Sequence, residues 1–396
     1  MWPRWAAWEP IATVMGPEPE ESHMTYYFDA CSTVPMRKEA VEAYVDTAGR
    51  FFGNPSSSHG VGAQAKSLLE ETREGFAELL GCGPREIFFT SGGTESANTL
   101  VESFRNVGTT LVSAIEHHAI LDPAFRIGAQ QMPVQCDGVI DFNAAKLAIK
   151  ELRTSLSAVF LMAVNNETGV LQPIDHVGTY LKRVNPDAKL IVDAVQAPHW
   201  MRLDNLLRFA DGALLAAHKF AGPKGFGLMM ARKPSWLRPL LYGGGQESER
   251  RSGTQDVASA VAALVALRLA QDEVENRSAR AAHLREVMRN RLAELGDRVT
   301  FTGDSAHTVP GVVSLIIPGV RSEEILFLLD AEQVCASAGS ACASGALDPS
   351  HVLLAMGYSR ELAGSSLRLS FTGDESEDEV RFVADAVKAI AGRLRP

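Results

Sequence analysis

The 396-residue sequence has few cysteines, five in all, and few aromatic residues, at 7%. Cys31, Cys82, Cys136, Cys335 and Cys342 are an odd, scattered set. They form no disulfide framework, and no CxxC pair points to zinc, so the expected metal complement is none. The free thiols fit a reducing cytoplasm. Long apolar runs are also missing. The longest, Val257 to Leu267, is closed by Arg268 and is too short to span a bilayer. The N-terminal region lacks the apolar core of a signal peptide. Positive charge is in deficit: Lys plus Arg is 38 against 48 Asp plus Glu, a net charge of −10. That balance argues against direct nucleic-acid binding, which needs basic surface. No internal repeat or low-complexity tract stands out.

What is present is an ordinary soluble composition, 46% hydrophobic and 22% charged, with enough length for two domains. Residues 1–24 are set apart. Trp2, Trp5 and Trp8 lie among Pro and Glu, and Ser22-His23-Met24 reads as a cloning scar or as the lead-in to a natural start at Met24. This leader is expected to be disordered or non-native.

From Tyr26 strand-like and helix-like segments alternate. Gln64 to Leu80 carries an apolar helical stripe that Gly81 stops. Strands are expected at Glu86–Thr90, Ala158–Val164, Lys189–Val192, Gly212–Ala216 and Phe226–Met230. This is the pattern of a mostly parallel α/β sheet, which binds ligands beyond the carboxyl ends of its strands. After Val257 come a long helix to about Glu275, another at Ala279–Leu295, strands near Val299–Phe301, Val312–Ile317 and Ser366–Phe371, and helices at Ser322–Ala331 and Glu375–Leu394. The expected organisation is a large domain over 39–275 and a smaller α+β domain formed by 25–38 with 276–396.

Four segments carry chemistry. Lys219 follows an apolar strand and opens a Gly/Pro loop, where an amine can bond a carbonyl cofactor. The bland reading is a surface turn lysine, and Lys224 competes within the same loop. Asp193 ends another strand, where a carboxylate needs a partner such as a pyridinium nitrogen; otherwise it caps the next helix. Ser91-Gly92-Gly93-Thr94 is a plausible phosphate cradle at a helix start, although short Gly turns are common. Gly339 to Gly345 surrounds Cys342 with small residues. Such a loop cannot pack a core and is expected to be mobile, leaving the thiol available as a nucleophile. Cys82, Cys136 and Cys335 read as small buried hydrophobes; Cys31 stays undecided.

Together these segments resemble the cysteine desulfurases of the NifS/IscS type, in the fold-type I, aspartate aminotransferase-like superfamily of pyridoxal 5'-phosphate enzymes. The resemblance runs from about Tyr26 to Leu394. Its pieces keep family order: Tyr27-Phe28-Asp29, Phe52-Gly53-Asn54-Pro55-Ser56, Phe89 to Ser96, Glu116-His117, Val164 to Gly169, Asp193 to Gln196, His218-Lys219, Gly243 to Glu247, Arg251 to Thr254, the Cys342 loop and Ser365 to Arg368.

The resemblance implies roles. Lys219 would hold the cofactor covalently and later move the substrate's α-proton. Asp193 would pair with the ring nitrogen. Gln196 and Asn166 would lie near the ring's phenolic oxygen, Asn166 also near the substrate. His117 would stack on the ring and serve as an acid–base group near neutrality. Gly93, Thr94 and His218 would hold the phosphate, with Thr254 reaching in from a second subunit of a homodimer. Arg368 would clamp the substrate carboxylate. L-Cysteine would become L-alanine, its sulfur passing to Cys342 as a persulfide and then to an acceptor protein, as in iron–sulfur cluster assembly.

Three segments depart from the family pattern. Ala216-Ala217 precedes His218-Lys219 where a phosphate-binding serine is usual; losing that bond costs ~1.5–3 kcal/mol. Gln246 follows Gly243-Gly244-Gly245 where His is usual, and Ser32-Thr33-Val34-Pro35 replaces Ala-Thr-Thr-Pro. Competing readings are another reaction on this scaffold (selenocysteine lyase, carbon–sulfur lyase or aminotransferase) and a non-catalytic homologue used as a scaffold.

Overall fold

The fold is taken from a computed structural model that describes residues 25–303, 305–339 and 349–394. The leader and Cys342 with its loop lie outside the described residues.

Twelve strands are numbered in chain order. They are β1 (Tyr26–Tyr27), β2 (Ile87–Thr90), β3 (Thr109–Ser113), β4 (Gln130–Met132), β5 (Leu156–Phe160), β6 (Lys189–Asp193), β7 (Gly212–Ala216), β8 (Gly227–Ala231), β9 (Thr300–Phe301), β10 (Val312–Ile316), β11 (Val334–Cys335) and β12 (Ser366–Ser370). Seven form the central sheet, in the order β2-β8-β7-β6-β5-β3-β4. Every pairing is parallel except those of β8, which runs against β2 and β7. All residues of β2, β7 and β8 are buried, as strands covered on both faces require.

Helices cover both faces. One core layer joins Leu69, Phe76 and Ala263 to Val159, Val192 and Leu215. The other joins Leu100, Val101 and Ile120 to Phe88, Phe160 and Ile191. The helix Gly60–Leu80 ends at Gly81, whose φ of 64° gives the left-handed cap expected from sequence. A separate three-stranded antiparallel sheet, β12-β10-β9, packs on helices Val274–Ala293, Ser322–Ala331 and Glu377–Arg393. Its core includes Phe28 from the N-terminal segment and Val334 of β11, and β1 pairs with β11. Residues 26–28 therefore pack with the C-terminal region, while Cys31 and Met36 pack on the core of the central sheet.

Some sequence expectations shift. β5 ends at Phe160 rather than at Val164, although Leu161 and Ala163 still bond Ile191 and Asp193. The chain must leave the ladder there, because Asn165 begins a tight turn closed on Gly169. The long helix stops at Asp272 and the next starts at Val274, five residues before the expected Ala279. Glu273 sits at the break and takes both Arg37 and Arg277. The cysteine reading is corrected. Cys136 is exposed, Cys82 and Cys335 are half-buried, and among the described cysteines only Cys31 is buried. Cys136 lies in the tight turn from Gln135 to Val139, whose Gly138 and Val139 face the core while Cys136 faces out.

Candidate active site

The sheet brings three strand ends together. β6 ends in Asp193, β7 in Ala216, and β2 leads through Ser91-Gly92 into the helix Gly93–Glu102. β8 comes so close to that turn that a Cβ on Gly227 would lie 2.6 Å from Gly92 backbone atoms; only glycine fits there. A cavity of about 180 Å³ opens beyond these ends. It is lined by Gly93, Thr94, His117, Asn166, Asp193, Gln196, His218 and Lys219, with Met162, Leu214 and Ala216 as apolar wall. Eight of the residues singled out from sequence thus share one cavity.

Lys219 follows β7 on a single 3-10 turn, Ala217–Lys219. Its Nζ donates to the carbonyls of Cys31 at 2.6 Å and Ser32 at 2.7 Å. Burial pulls its pKa below the usual lysine range. Cys31, Asp29 and Asp193 oppose that shift, and the Arg368 charge adds to it. The rival Lys224 is exposed.

Asp193 is 8% exposed, and its Oδ1 accepts the Val195 N–H at 2.9 Å. Burial raises its pKa to about 6, against the pull of that bond and of Lys219. Glu116 lies nearby and is fully buried. One oxygen accepts the Met162 N–H at 2.5 Å; the other has no partner among the described residues. Burial first, and Asp193 second, push its carboxyl well above the ordinary range.

His117 caps the helix His118–Arg126, its Nδ1 accepting from the Ala119 N–H at 3.1 Å. That bond puts the ring proton of the neutral form on Nε2. The ring has surface open to the cavity, yet protein surrounds the cavity on most sides. Dehydration by that wall, then Lys219 and the neighbouring His118 and His351, draw its pKa to about 4. The expectation of titration near neutrality is corrected: His117 is a neutral imidazole at pH 7. His218 is likewise lowered to about 4, by burial and by Lys219 and Lys224. Its Nδ1 is 3.2 Å from Thr33 Oγ1.

Arg368 stands on β12 beside the cavity. Its guanidinium donates to Asn166 O at 2.8 Å, Asp29 Oδ1 at 2.5 Å and Ser32 Oγ at 3.0 Å, while Nε has no partner among the described residues. Gln196 donates to Cys31 O at 2.8 Å. Thr254 is not in the cavity; it is exposed in the loop after Arg251. Arg251 pairs with Glu95, which accepts the Ser91 N–H and so ties that loop to the glycine turn.

Sequence reasoning missed three contributors: the Cys31 and Ser32 carbonyls that hold Lys219, Asp29 under Arg368, and Glu116 behind Asp193. Backbone carbonyls leave no side-chain signal. Tyr27-Phe28-Asp29 and Glu116-His117 were visible as motifs without assigned roles for the two acids. Among the described residues no group of three His, Cys, Asp or Glu could hold a metal ion, and no helix is long and apolar enough to cross a membrane.

Comparison with known proteins fits this geometry. The aminotransferase class-V family matches residues 26–383. A cysteine desulfurase IscS from Dictyoglomus turgidum is 34% identical over 379 residues, 93% of this chain and 95% of that protein. One from Methanosarcina thermophila is 35% identical, over 93% of this chain and 92% of that protein. A solved NifS-like protein superposes with a TM-score of 0.85 at 32% identity, covering 93% of this chain and all of the other. The site at the ends of β2, β6 and β7 is therefore carried on a scaffold shared along nearly the whole described length, and the chain belongs to the class-V aminotransferase family.

Proposed function

We propose that the protein is a pyridoxal-phosphate-dependent cysteine desulfurase, taking L-cysteine to L-alanine and passing the sulfur to Cys342 as a persulfide. The observation that carries the reading is the pairing, in one cavity, of a half-buried amine on the turn after β7 with a buried carboxylate at the end of β6. An isolated buried carboxylate is costly, and here it has no cationic side chain bonded to it. A protonated pyridine nitrogen supplies that partner. The opposite end offers Gly93 and Thr94 at a helix start and His218, a donor set suited to phosphate. The residues present fit the cofactor.

When bound, pyridoxal phosphate supplies an electrophilic carbonyl and an electron-withdrawing ring that weakens bonds at the α and β carbons of an amino acid. The chain supplies the rest. Lys219 would hold the cofactor through Nζ, and the lowered basicity of its free amine suits it to take the substrate's α-proton. His117 would present a neutral ring as a stacking face and, with Nδ1 taken by the Ala119 N–H, an Nε2–H that donates. Asp193 would hold the ring nitrogen in its protonated state. Arg368, backed by Asp29, receives the substrate carboxylate, and Asn166 and Gln196 orient the ring's oxygen. The Cys342 thiolate would attack the substrate sulfur; the carbon–sulfur bond breaks with its electron pair left on the β carbon, which takes a proton, and alanine leaves.

The same reading includes a homodimer, in which a second subunit brings Thr254 to the phosphate, a cytoplasmic setting, and an acceptor protein that takes the persulfide sulfur. The domain division at 39–275 against 25–38 with 276–396 is part of the proposal, with the site between the two cores.

The test is direct. Purified protein with pyridoxal phosphate, L-cysteine and a reductant should release alanine and sulfide in equal amounts, and Cys342→Ala should abolish both. Equal alanine formation by wild type and Cys342→Ala would overturn the persulfide route.

A further inference from the structure

The loop 241–256 is exposed or half-exposed at every position but one, and the exception is a carboxylate. Glu247 is 5% exposed. It closes the run Gly243-Gly244-Gly245-Gln246-Glu247, and no role described above uses it. A charge stays buried only where hydrogen bonds and an opposite charge compensate it.

Here they do. Arg73, on the helix Gly60–Leu80, donates to both Glu247 oxygens at 2.8 Å. The Phe89 N–H donates to Oε2 at 3.0 Å, and Gln255 Nε2 to Oε1 at 3.2 Å. Arg73 also donates to Ile87 O at 2.8 Å and lies over the Phe89 ring. Ile87 and Phe89 belong to β2, the strand that leads through Ser91-Gly92 to the glycine turn. One carboxylate thus ties a helix, β2 and both ends of the segment 247–255 together.

The backbone at Glu247 is unusual as well. Glu247, Ser248 and Glu249 have φ of 48°, 54° and 65°. Single non-glycine residues visit this left-handed region, but a run of three is costly and persists only where its surroundings hold it. The run carries the chain to Arg251, which donates to the Glu95 carboxylate at 2.8 and 3.1 Å. Glu95 accepts the Ser91 N–H at 2.8 Å. The glycine turn is therefore held from two directions, through Phe89 on β2 and through Arg251 and Glu95, and both begin at Glu247.

We propose that Glu247 is a positioning residue for the phosphate end of the cofactor site. It holds the left-handed turn that keeps Arg251 on Glu95, and so fixes the N–H groups at Gly93 and Thr94 where a phosphate would bind. The inference rests on the pyridoxal-phosphate reading. Ala216 offers that phosphate no hydroxyl, so the placement of the remaining donors matters more.

The probes are pyridoxal 5'-phosphate and pyridoxal, which differ only in the phosphate. Each is titrated into cofactor-free protein and followed by the absorbance of the lysine-bound form. Glu247→Gln keeps the side chain's shape and removes the charge that faces Arg73. It should weaken pyridoxal phosphate about tenfold or more and pyridoxal by no more than about twofold. Arg251→Gln, at a half-buried position, breaks only the tie to Glu95 and should lower the same preference for the phosphorylated compound about threefold or more. Circular dichroism and the thermal midpoint establish that each variant is folded at the assay temperature, and Arg251→Gln carries the test alone if Glu247→Gln does not fold. Equal weakening of both compounds is the mark of general destabilisation and overturns the inference, as does an unchanged preference in every folded variant. A loss confined to Glu247→Gln overturns the link through Arg251 and Glu95. Wild type that forms no lysine-bound species with pyridoxal phosphate contradicts the cofactor reading itself.

Discussion

The two ends of the active cavity are built on different principles. The ring end is dense with displaced charge: Lys219 is lowered, Asp193 is raised to about 6, and Glu116 behind it is raised well above the ordinary carboxyl range. The phosphate end is nearly neutral. It offers backbone N–H groups at a helix start, Thr94 and an uncharged His218, and its wall includes Ala216 where a hydroxyl would bond. The contrast teaches where free energy is stored. The ring end carries the desolvation cost of buried carboxyls, which the proposed cofactor would relieve. The phosphate end carries little displaced charge, and Ala216 packs close to the glycine turn there, its Cβ 3.4 Å from where a Gly93 Cβ would sit.

The largest expected effect breaks the ring end outright. Lys219→Ala should remove the cofactor-linked absorbance and lower alanine production by on the order of 10³-fold, the scale of losing an anchored acid–base group. Stopped assays and spectra of the purified variant check it.

Asp193→Asn should separate stability from function. The folded pKa of Asp193 lies above the unfolded value of about 3.9, so the folded protein holds this proton more tightly. Its contribution is most favourable below about pH 4 and declines as pH rises through 6, by on the order of 3 kcal/mol. Without cofactor at pH 7, Asp193→Asn should therefore be more stable than wild type in urea melts. With cofactor it should bind about 10- to 100-fold more weakly, the loss of a charged hydrogen bond. A less stable cofactor-free variant would mean that the Asp193 carboxylate already has a partner.

At the phosphate end the sign reverses. Ala216→Ser adds a donor and should tighten the cofactor about tenfold in absorbance titrations. No change would place the phosphate out of reach of residue 216. The smallest effect sharpens the lysine assignment. Lys224→Ala removes an exposed charge and should leave cofactor affinity within about twofold.

Much of this was legible in the sequence for physical reasons. Lys219, Asp193 and the Gly92-Gly93 turn each interrupt an apolar strand with a group that has no place in a core, and strand ends of a parallel sheet meet at one edge. Gly81 stopped its helix because it alone takes the left-handed cap. Other features were not legible. The Lys219 ammonium is held by main-chain carbonyls 187 and 188 residues away, which any side chain at Cys31 and Ser32 would present. The neutrality of His117 arises from surrounding protein and from Lys219, neither visible at Glu116-His117. Cys136, expected to be buried, is exposed, and Cys31, left undecided, is buried, because burial of a single cysteine depends on tertiary contacts rather than on local pattern.

The central claim is that burial and the carbonyl cradle make Lys219, rather than its loop neighbour, the cofactor's anchor. Borohydride reduction of the protein loaded with pyridoxal phosphate, followed by proteolysis and mass mapping, reads this directly. The account predicts the cofactor mass on the peptide bearing Lys219, assigned to that residue by fragmentation. Cofactor fixed on Lys224, or on no lysine of this loop, would contradict it.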